Sequence, residues 1–371
     1  MAWAAWSLGT GGYLTRRGRD RSLSVFTAIM SSAPGHPPPA ISVLMVAYNA
    51  GTYLVPAVES ILAQTCAALE LVLVDDASTD GSVAGLRERV SDQRLKIHRM
   101  AENLGQVCGW RAGLGFCRGE WLALLDADDL ARPRRLERQR DFLATNPGID
   151  VVTTFADEID AGGRLTGPGF SLWEERDIRA YAEFDMPVRV NTAMMRRTFA
   201  EKVGFAGAGS WTGDYEFLVR ALERGRVACL PEVLNLYRVH AAAQTSFGRN
   251  RQVLSAALVR FRAARRVRGL PESDGADAER AALEGAPGLR AVHRACMRRA
   301  LAERLPALSI FHARRARSLW GVVRGVAEAG RWDRPRLGLL LRLALWGPVR
   351  ALGVRTMRDM GGGRPEANVA R

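Results

Sequence analysis

The chain has 371 residues, 47% hydrophobic and 25% charged, which suffices for one large core or two smaller ones and excludes a disordered protein. Its formal net charge of +14 is not a nucleic-acid-binding signature, because the excess lies at one end. Residues 251–371 hold 25 Arg and Lys against 10 Asp and Glu, leaving 28 basic and 29 acidic residues in the first 250.

Residues 1–40, rich in Gly, Ser and Arg and ending in Gly35-His36-Pro37-Pro38-Pro39, read as a disordered leader, with Met30 as an alternative start. Ile41–Ala47 is a continuous apolar run with β-branched residues and predicts a strand buried on both faces. Apolar residues at helical spacing follow over Tyr53–Ala63, then a second buried strand over Leu69–Val74 ending at Asp75-Asp76. Ser82–Val90 reads as a helix, Leu95–Arg99 as a short strand, Gln106–Cys117 as a helix, and Trp121–Leu125 as another buried strand that ends at Asp126. Strand and helix in alternation predict an α/β fold with a mainly parallel sheet flanked by helices, whose ligands bind beyond the carboxyl ends of the strands. Beyond it, Val151–Phe155 and Ala193–Met195 look like short strands and Asp214–Arg224 like a helix. Helical, Arg-rich segments follow at about 250–268, 288–305, 308–329 and 335–355. The expected division is a leader at 1–40, a catalytic domain at 41–245 and a helical basic region at 246–371.

Five scattered cysteines, Cys66, Cys108, Cys117, Cys229 and Cys296, form no CxxC pair and read as reduced thiols of a cytoplasmic protein. No run approaches the roughly 18 apolar residues of a membrane-spanning helix. Arg16, Arg17 and Arg19 follow the apolar beginning, where an export signal would carry them before it.

The strand ends carry the chemistry. Tyr48-Asn49, Asp75-Asp76 and Asp126-Ala127-Asp128 converge on one rim, and two acids spaced as Asp126 and Asp128 offer hard oxygen ligands that suit Mg²⁺ or Mn²⁺ bound together with a diphosphate. Asp80-Gly81 reads as turn chemistry, and one of the Asp75-Asp76 pair as a cap for the turn that follows.

Taken in order, Ile41–Asn49, Val74–Ser82 and Leu124–Asp129 resemble glycosyltransferase family 2, of the GT-A fold, and the resemblance extends through Asn103-Leu104-Gly105, Gly213-Asp214-Tyr215-Glu216 and Tyr237-Arg238-Val239-His240. It covers about 200 residues and leaves the basic tail outside. It implies an inverting transferase using a nucleotide-sugar donor and a carbohydrate or lipid-linked acceptor in cell-surface polysaccharide, glycolipid or glycoprotein synthesis. Donor contacts would come from Ala47, Tyr48, Asn49, Asp76, Asn103, Gly105, Asp126, Ala127 and Asp128. Tyr48 would offer its ring to the base, and Asp76 would accept from an imino group such as that of UDP or dTDP. Asp126 would reach the ribose or the metal, Asp128 would hold the metal, and His240 would complete its coordination. Asp214 would take the proton of the incoming hydroxyl; the competing reading is a cap for its helix. Glu216 would order the neighbourhood. In one departure, Trp110-Arg111 stand where the family often carries Arg-Asn, and one residue on a helix is a turn of about 100°, so Arg111 would miss the diphosphate and Trp110 would pack. The segment Met186–Thr192 falls by position at the donor-sugar and acceptor pocket, though its chemistry is uninformative.

In the tail, Arg260, Arg262, Arg265, Arg266 and Arg268, and then Arg314, Arg315 and Arg317, alternate with Phe261, Leu319 and Trp320. This pattern fits either peripheral contact with an anionic membrane at the inner face of the plasma membrane or a solvated face of a helical subdomain. No specific nucleic-acid motif accompanies it. The absence of GxGxxG after the first strand excludes a dinucleotide-dependent dehydrogenase, and Asn49-Ala50-Gly51-Thr52 lacks the basic Gly-rich loop of a nucleotidyl-sugar pyrophosphorylase. A catalytically inert, membrane-associated or nucleic-acid-binding relative is the remaining alternative; it would tolerate loss of Asp128 and Asp214.

Overall fold

The computed structural model describes residues 39–205, 211–243 and 249–267, together with Gly269 and Met297. Leader residues 1–38, Cys296 and the helices expected at 288–305, 308–329 and 335–355 lie outside the described residues. In chain order the elements are β1 (Ile41–Ala47), α1 (Leu54–Leu62), β2 (Leu69–Asp75), α2 (Ser82–Arg89), β3 (Leu95–Arg99), α3 (Gln106–Leu114) and β4 (Trp121–Leu124). They continue with β5 (Leu130–Ala131), α4 (Arg135–Thr145), β6 (Val151–Ile159), β7 (Leu165–Pro168), α5 (Glu175–Tyr181), β8 (Met194–Arg196), α6 (Arg197–Val203), α7 (Gly213–Arg224), β9 (Val227–Arg238) and α8 (Arg249–Val267).

One sheet runs in the order β3-β2-β1-β4-β8-β6-β9-β5, with β7 added to β6. The four strands β3, β2, β1 and β4 are parallel, as the buried apolar runs predict. The far half is mixed: β8 is antiparallel to both β4 and β6, β9 is parallel to β6, and β5 and β7 join antiparallel. Successive side chains of a strand face opposite ways. Leu44, Val46, Val72 and Val74 therefore enter one core with Trp110 and Phe217, while Val43, Met45, Leu71 and Leu73 enter a second core with Leu54 and Ile61.

Helix α3 owes its place to two glycines one turn apart. A Cβ at Gly109 would stand 2.6 Å from Val46 Cγ1, and one at Gly113 would stand 2.3 Å from Leu44 Cδ1 and 2.8 Å from Val74 Cγ2. The bare face lets the helix lie directly on β1 and β2 with Gln106 at its first position, beside the carboxyl ends of the strands. Helix α7 packs as closely on α3, since a Cβ at Gly213 would stand 2.0 Å from Val107 Cγ2. Gly213 and Gln106 thus open two helices at the same rim. Helix α8 in turn lies against α7, burying Ala257, Leu258, Val259 and Phe261.

The sequence reading missed α4, α5, α6, β5, β7 and β9. Helix α4 shows little apolar periodicity because Arg135 and Gln139, both fully buried, hold two of its inward positions. Strand β9 is broken by Pro231-Glu232, where its register with β6 shifts between Thr154 and Ala156, as a proline inside a strand requires. Among the described residues no helix is long and apolar enough to cross a membrane.

Candidate active site

The turns after β1 and β2 are tied to each other. Asn49, at φ 49°, accepts the Thr79 amide on Oδ1 (2.8 Å), and its own amide donates to Ser78 Oγ (3.1 Å). Asp80 accepts the Gly51 amide (2.9 Å) and the Ser82 amide (3.0 Å), and Asp75 accepts the Ser78 amide (2.8 Å) and pairs with Arg99. Asp75 and Asp80 are turn-forming, as their sequence context predicts. With both turns fixed, Tyr48 projects 51% exposed at the rim while Ala47 is fully buried beneath it.

Asp76 is buried, and its oxygens accept the amides of Leu104 (2.9 Å) and Gly105 (2.8 Å). The carboxylate expected to meet a base imino group therefore also fastens the 103–105 segment that opens α3; only its remaining lone pairs are available to a ligand. Gly105 has φ +86°, which a residue with a Cβ adopts only under strain. Asn103 is exposed. Arg111 is also exposed, whereas Trp110 is buried against Phe205 at 5.5 Å between ring centroids, as the sequence departure implies.

Beyond β4, Asp126, Asp128 and Asp129 each bring one oxygen within 4.8 Å of the others, with Ala127 buried between them. Asp126 accepts from Gln106 Nε2. Asp129 accepts from Asn191 Nδ2 and from the Arg238 amide (2.8 Å). Asp128 Oδ2 lies 3.0 Å from His240 Nε2, and the Arg238 guanidinium donates through Nε to the Asp128 carbonyl (2.8 Å). The imidazole rests against the Tyr53 ring at 4.8 Å between centroids.

Burial, followed by the charges of Asp128 and Asp214, pushes Asp126 up to about 8. Asp129 is raised well above the carboxylate range by burial and by its two acidic neighbours. Among the described residues no Arg or Lys forms an ion pair with any of the three carboxylates. Crowded like charges that Arg135 and Arg189 offset only from a distance are unfavourable, and hard oxygens so arranged, with an imidazole beside them, are a donor set that fits a divalent cation. The structure brings together the residues expected to hold it, Asp126, Asp128 and His240, and adds Asp129.

Asp214 lies in the first turn of α7, where its Oδ1 accepts the Tyr215 amide at 2.7 Å. Burial raises its pKa, and its charge acts on Asp126, so the two carboxylates belong to one site. Glu216 is buried and bonds to Arg220 at 2.6 Å, a structural pairing. Sequence reasoning gave no individual role to Gln106, Asn191, Asp129 or Arg238. Asp129 and Arg238 stood inside quoted motifs and Asn191 inside the Met186–Thr192 segment placed at the pocket, but Gln106 carried no signal of its own.

Residues 42–204 match the family model for glycosyl transferase family 2. An uncharacterized glycosyltransferase of Haemophilus influenzae is 31% identical over 221 residues, covering 56% of this chain and 68% of the relative. The chain belongs to glycosyltransferase family 2. Succinoglycan biosynthesis protein ExoO of Rhizobium meliloti is 30% identical over 160 residues, 43% of this chain and 44% of ExoO. The chain thus spans less than half of that relative. Among solved structures, S. aureus TarS residues 1–349 in complex with UDP-GlcNAc align with a TM-score of 0.54 at 18% identity, covering 79% of this chain and 93% of TarS 1–349, a likeness of GT-A fold. The acid cluster stands beyond the carboxyl end of β4, where an α/β sheet places its ligands.

Proposed function

We propose that this glycosyltransferase moves a sugar from a nucleotide diphosphate-sugar, UDP- or dTDP-linked, to an acceptor hydroxyl by single displacement with inversion. One observation carries the reading: Gly213 packs α7 against Val107, next to Gln106, whose side chain bonds to Asp126, so Asp214 in the first turn of α7 and the acid cluster beyond β4 share one rim. The Asp214 carboxylate takes the proton of the acceptor hydroxyl. The acceptor hydroxyl oxygen forms the bond to the anomeric carbon as the bond to the diphosphate breaks, and the nucleoside diphosphate leaves with the electron pair. A carboxylate with a raised pKa is a better match for that transfer than an ordinary one. Asp126, Asp128 and His240 would hold Mn²⁺ or Mg²⁺, which neutralises charge on the departing diphosphate. The exposed Tyr48 ring stacks on the base, and the free lone pairs of Asp76 accept from its imino group. Ala47, Asn49, Asn103, Gly105 and Ala127 supply the backbone that shapes this pocket.

The relation to ExoO, and to E. coli chondroitin synthase at 31% identity over 133 residues, supports a place in polysaccharide synthesis. A carbohydrate or lipid-linked acceptor is proposed on that basis. In any membrane contact through the basic tail, Arg260 and Arg266 would take no part, because Arg260 is buried and Arg266 pairs with Glu223 at 2.8 Å.

The donor site is tested by calorimetric binding of UDP, dTDP, GDP and CDP with and without Mn²⁺ to wild type and Asp128→Ala. Manganese-dependent binding of UDP or dTDP, weakened at least about tenfold in the variant, is expected. Metal-independent binding that Asp128→Ala leaves intact would refute the assignment.

A further inference from the structure

We propose that Ser255 and Arg260 of α8, in the basic C-terminal region, are positioning residues for the Asp214 carboxylate; the inference rests on Asp214 being the base. The N-cap residue of α7, Thr212, makes no capping hydrogen bond with its side chain, and the first helical residue, Gly213, has no side chain to bond with. Helix α8 supplies an anchor on each side of Asp214. Ser255 Oγ accepts from the Trp211 amide (3.2 Å) and from Thr212 Oγ1 (2.9 Å), the two residues that lead into the helix. Arg260 Nε donates to the Tyr215 hydroxyl at 3.0 Å, its guanidinium carbon lies 5.3 Å from the centre of that ring, and the hydroxyl donates onward to the Ala182 carbonyl. Both α8 side chains are buried, at 7% and 8% exposure. A third tie, Arg266 to Glu223 at 2.8 Å, holds the far end of α7.

Packing alone would not call for these groups. A Leu at 260 would fill the same space without the desolvation of a guanidinium. An Arg bonded to a Tyr hydroxyl that is itself bonded to a carbonyl fixes direction as well as distance. It ties the residue next to Asp214 to the 182 backbone, while Ser255 ties the residue two before it. The rotation of the first turn of α7 about its axis, and with it the aim of the Asp214 carboxylate, is therefore set by α8. Catalysis is sensitive to such placement, since about 1 Å of displacement can lower turnover roughly a hundredfold.

The test uses the full chain with Mn²⁺ and reads transfer of sugar to water, as nucleoside diphosphate released. Of UDP-GlcNAc, UDP-glucose, dTDP-glucose and GDP-mannose, the substrate is the one the wild type hydrolyses fastest. Arg260→Met and Tyr215→Phe, each with a wild-type circular dichroism spectrum, are expected to lower kcat about tenfold while donor KM and nucleoside diphosphate Kd stay within about twofold of wild type. Arg260→Lys, which keeps a donor for the hydroxyl, should recover part of the loss. Wild-type kcat in Tyr215→Phe and Arg260→Met, or a loss of kcat matched by an equal loss of donor binding, overturns the proposal. If Arg260→Met fails to fold, Tyr215→Phe, which removes a single hydroxyl, decides. Asp214→Asn is run alongside. If it is inactive while Tyr215→Phe is normal, only the positioning inference falls; if it retains wild-type turnover, or if wild type hydrolyses none of the four sugars, the base reading falls and the inference with it.

Discussion

Asp76 and His98 show what burial does to a polar side chain. The Asp76 carboxylate, proposed to meet the donor base, carries the Leu104 and Gly105 amides and so fixes the segment that opens α3. His98 stacks on Phe116 at 3.7 Å, nearly coplanar, away from the acid cluster. Burial lowers its pKa below the usual 6.5, and the charge of Glu70 opposes that shift only in part. Because the folded pKa is depressed, the unfolded chain binds the extra proton first as pH falls through 6.5. His98 therefore contributes acid sensitivity: stability is kept above that pH and lost below it. Urea midpoints at pH 7 and pH 5 should fall further in wild type than in His98→Phe; an identical drop in both would show that the stacked ring plays no part. The site was partly legible at this scale. Asp126, Asp128, Asp214 and His240 announced themselves through motif and residue type, whereas Gln106 and Asn191 are amides that acquire a role only when α3 and the 190–192 turn reach Asp126 and Asp129.

Among the elements, close approach through glycine governs the geometry. A methyl group at Gly213 would meet Val107 Cγ2 at 2.0 Å, and overpacking of this kind costs about 1–3 kcal/mol. Gly213→Ala should lower unfolding free energy by about that amount and reduce turnover, since it levers α7 and Asp214 away from α3. The double variant Gly213→Ala with Val107→Ala should regain much of both, a coupling that additive behaviour would contradict. The parallel half of the sheet could be read from its sequence because β1, β2 and β4 are mainly apolar runs, broken only by Ser42, Glu70 and Asp75, and are buried on both faces. The other half could not. Arg135 on α4, fully buried, donates to the Leu124 carbonyl at 2.6 Å just before the acid cluster, and burial lowers its pKa to about 9 despite Asp129 and Asp126. A charged residue in that inward position erases the apolar stripe by which a helix is recognised. Strand β9 hides in the same way behind Pro231 and Glu232, and Arg238 at its end bonds to both Asp128 and Asp129.

Over the whole molecule, the sheet gathers Asp126, Asp128 and Asp129 at one rim with His240 beside Asp128 and, among the described residues, no Arg or Lys in an ion pair with them, while Asp214 opens α7 at the same rim. The proposed function puts donor binding at the β4 end and proton removal on α7, and the two should separate experimentally. The most direct measurement is Asp214→Asn, assayed for Mn²⁺-dependent nucleoside diphosphate binding and for sugar release from the donor. The account predicts binding within about twofold of wild type with turnover reduced at least about a hundredfold, the scale of a lost general base. Undiminished turnover would contradict it, as would a loss of nucleotide binding as large as the loss of turnover.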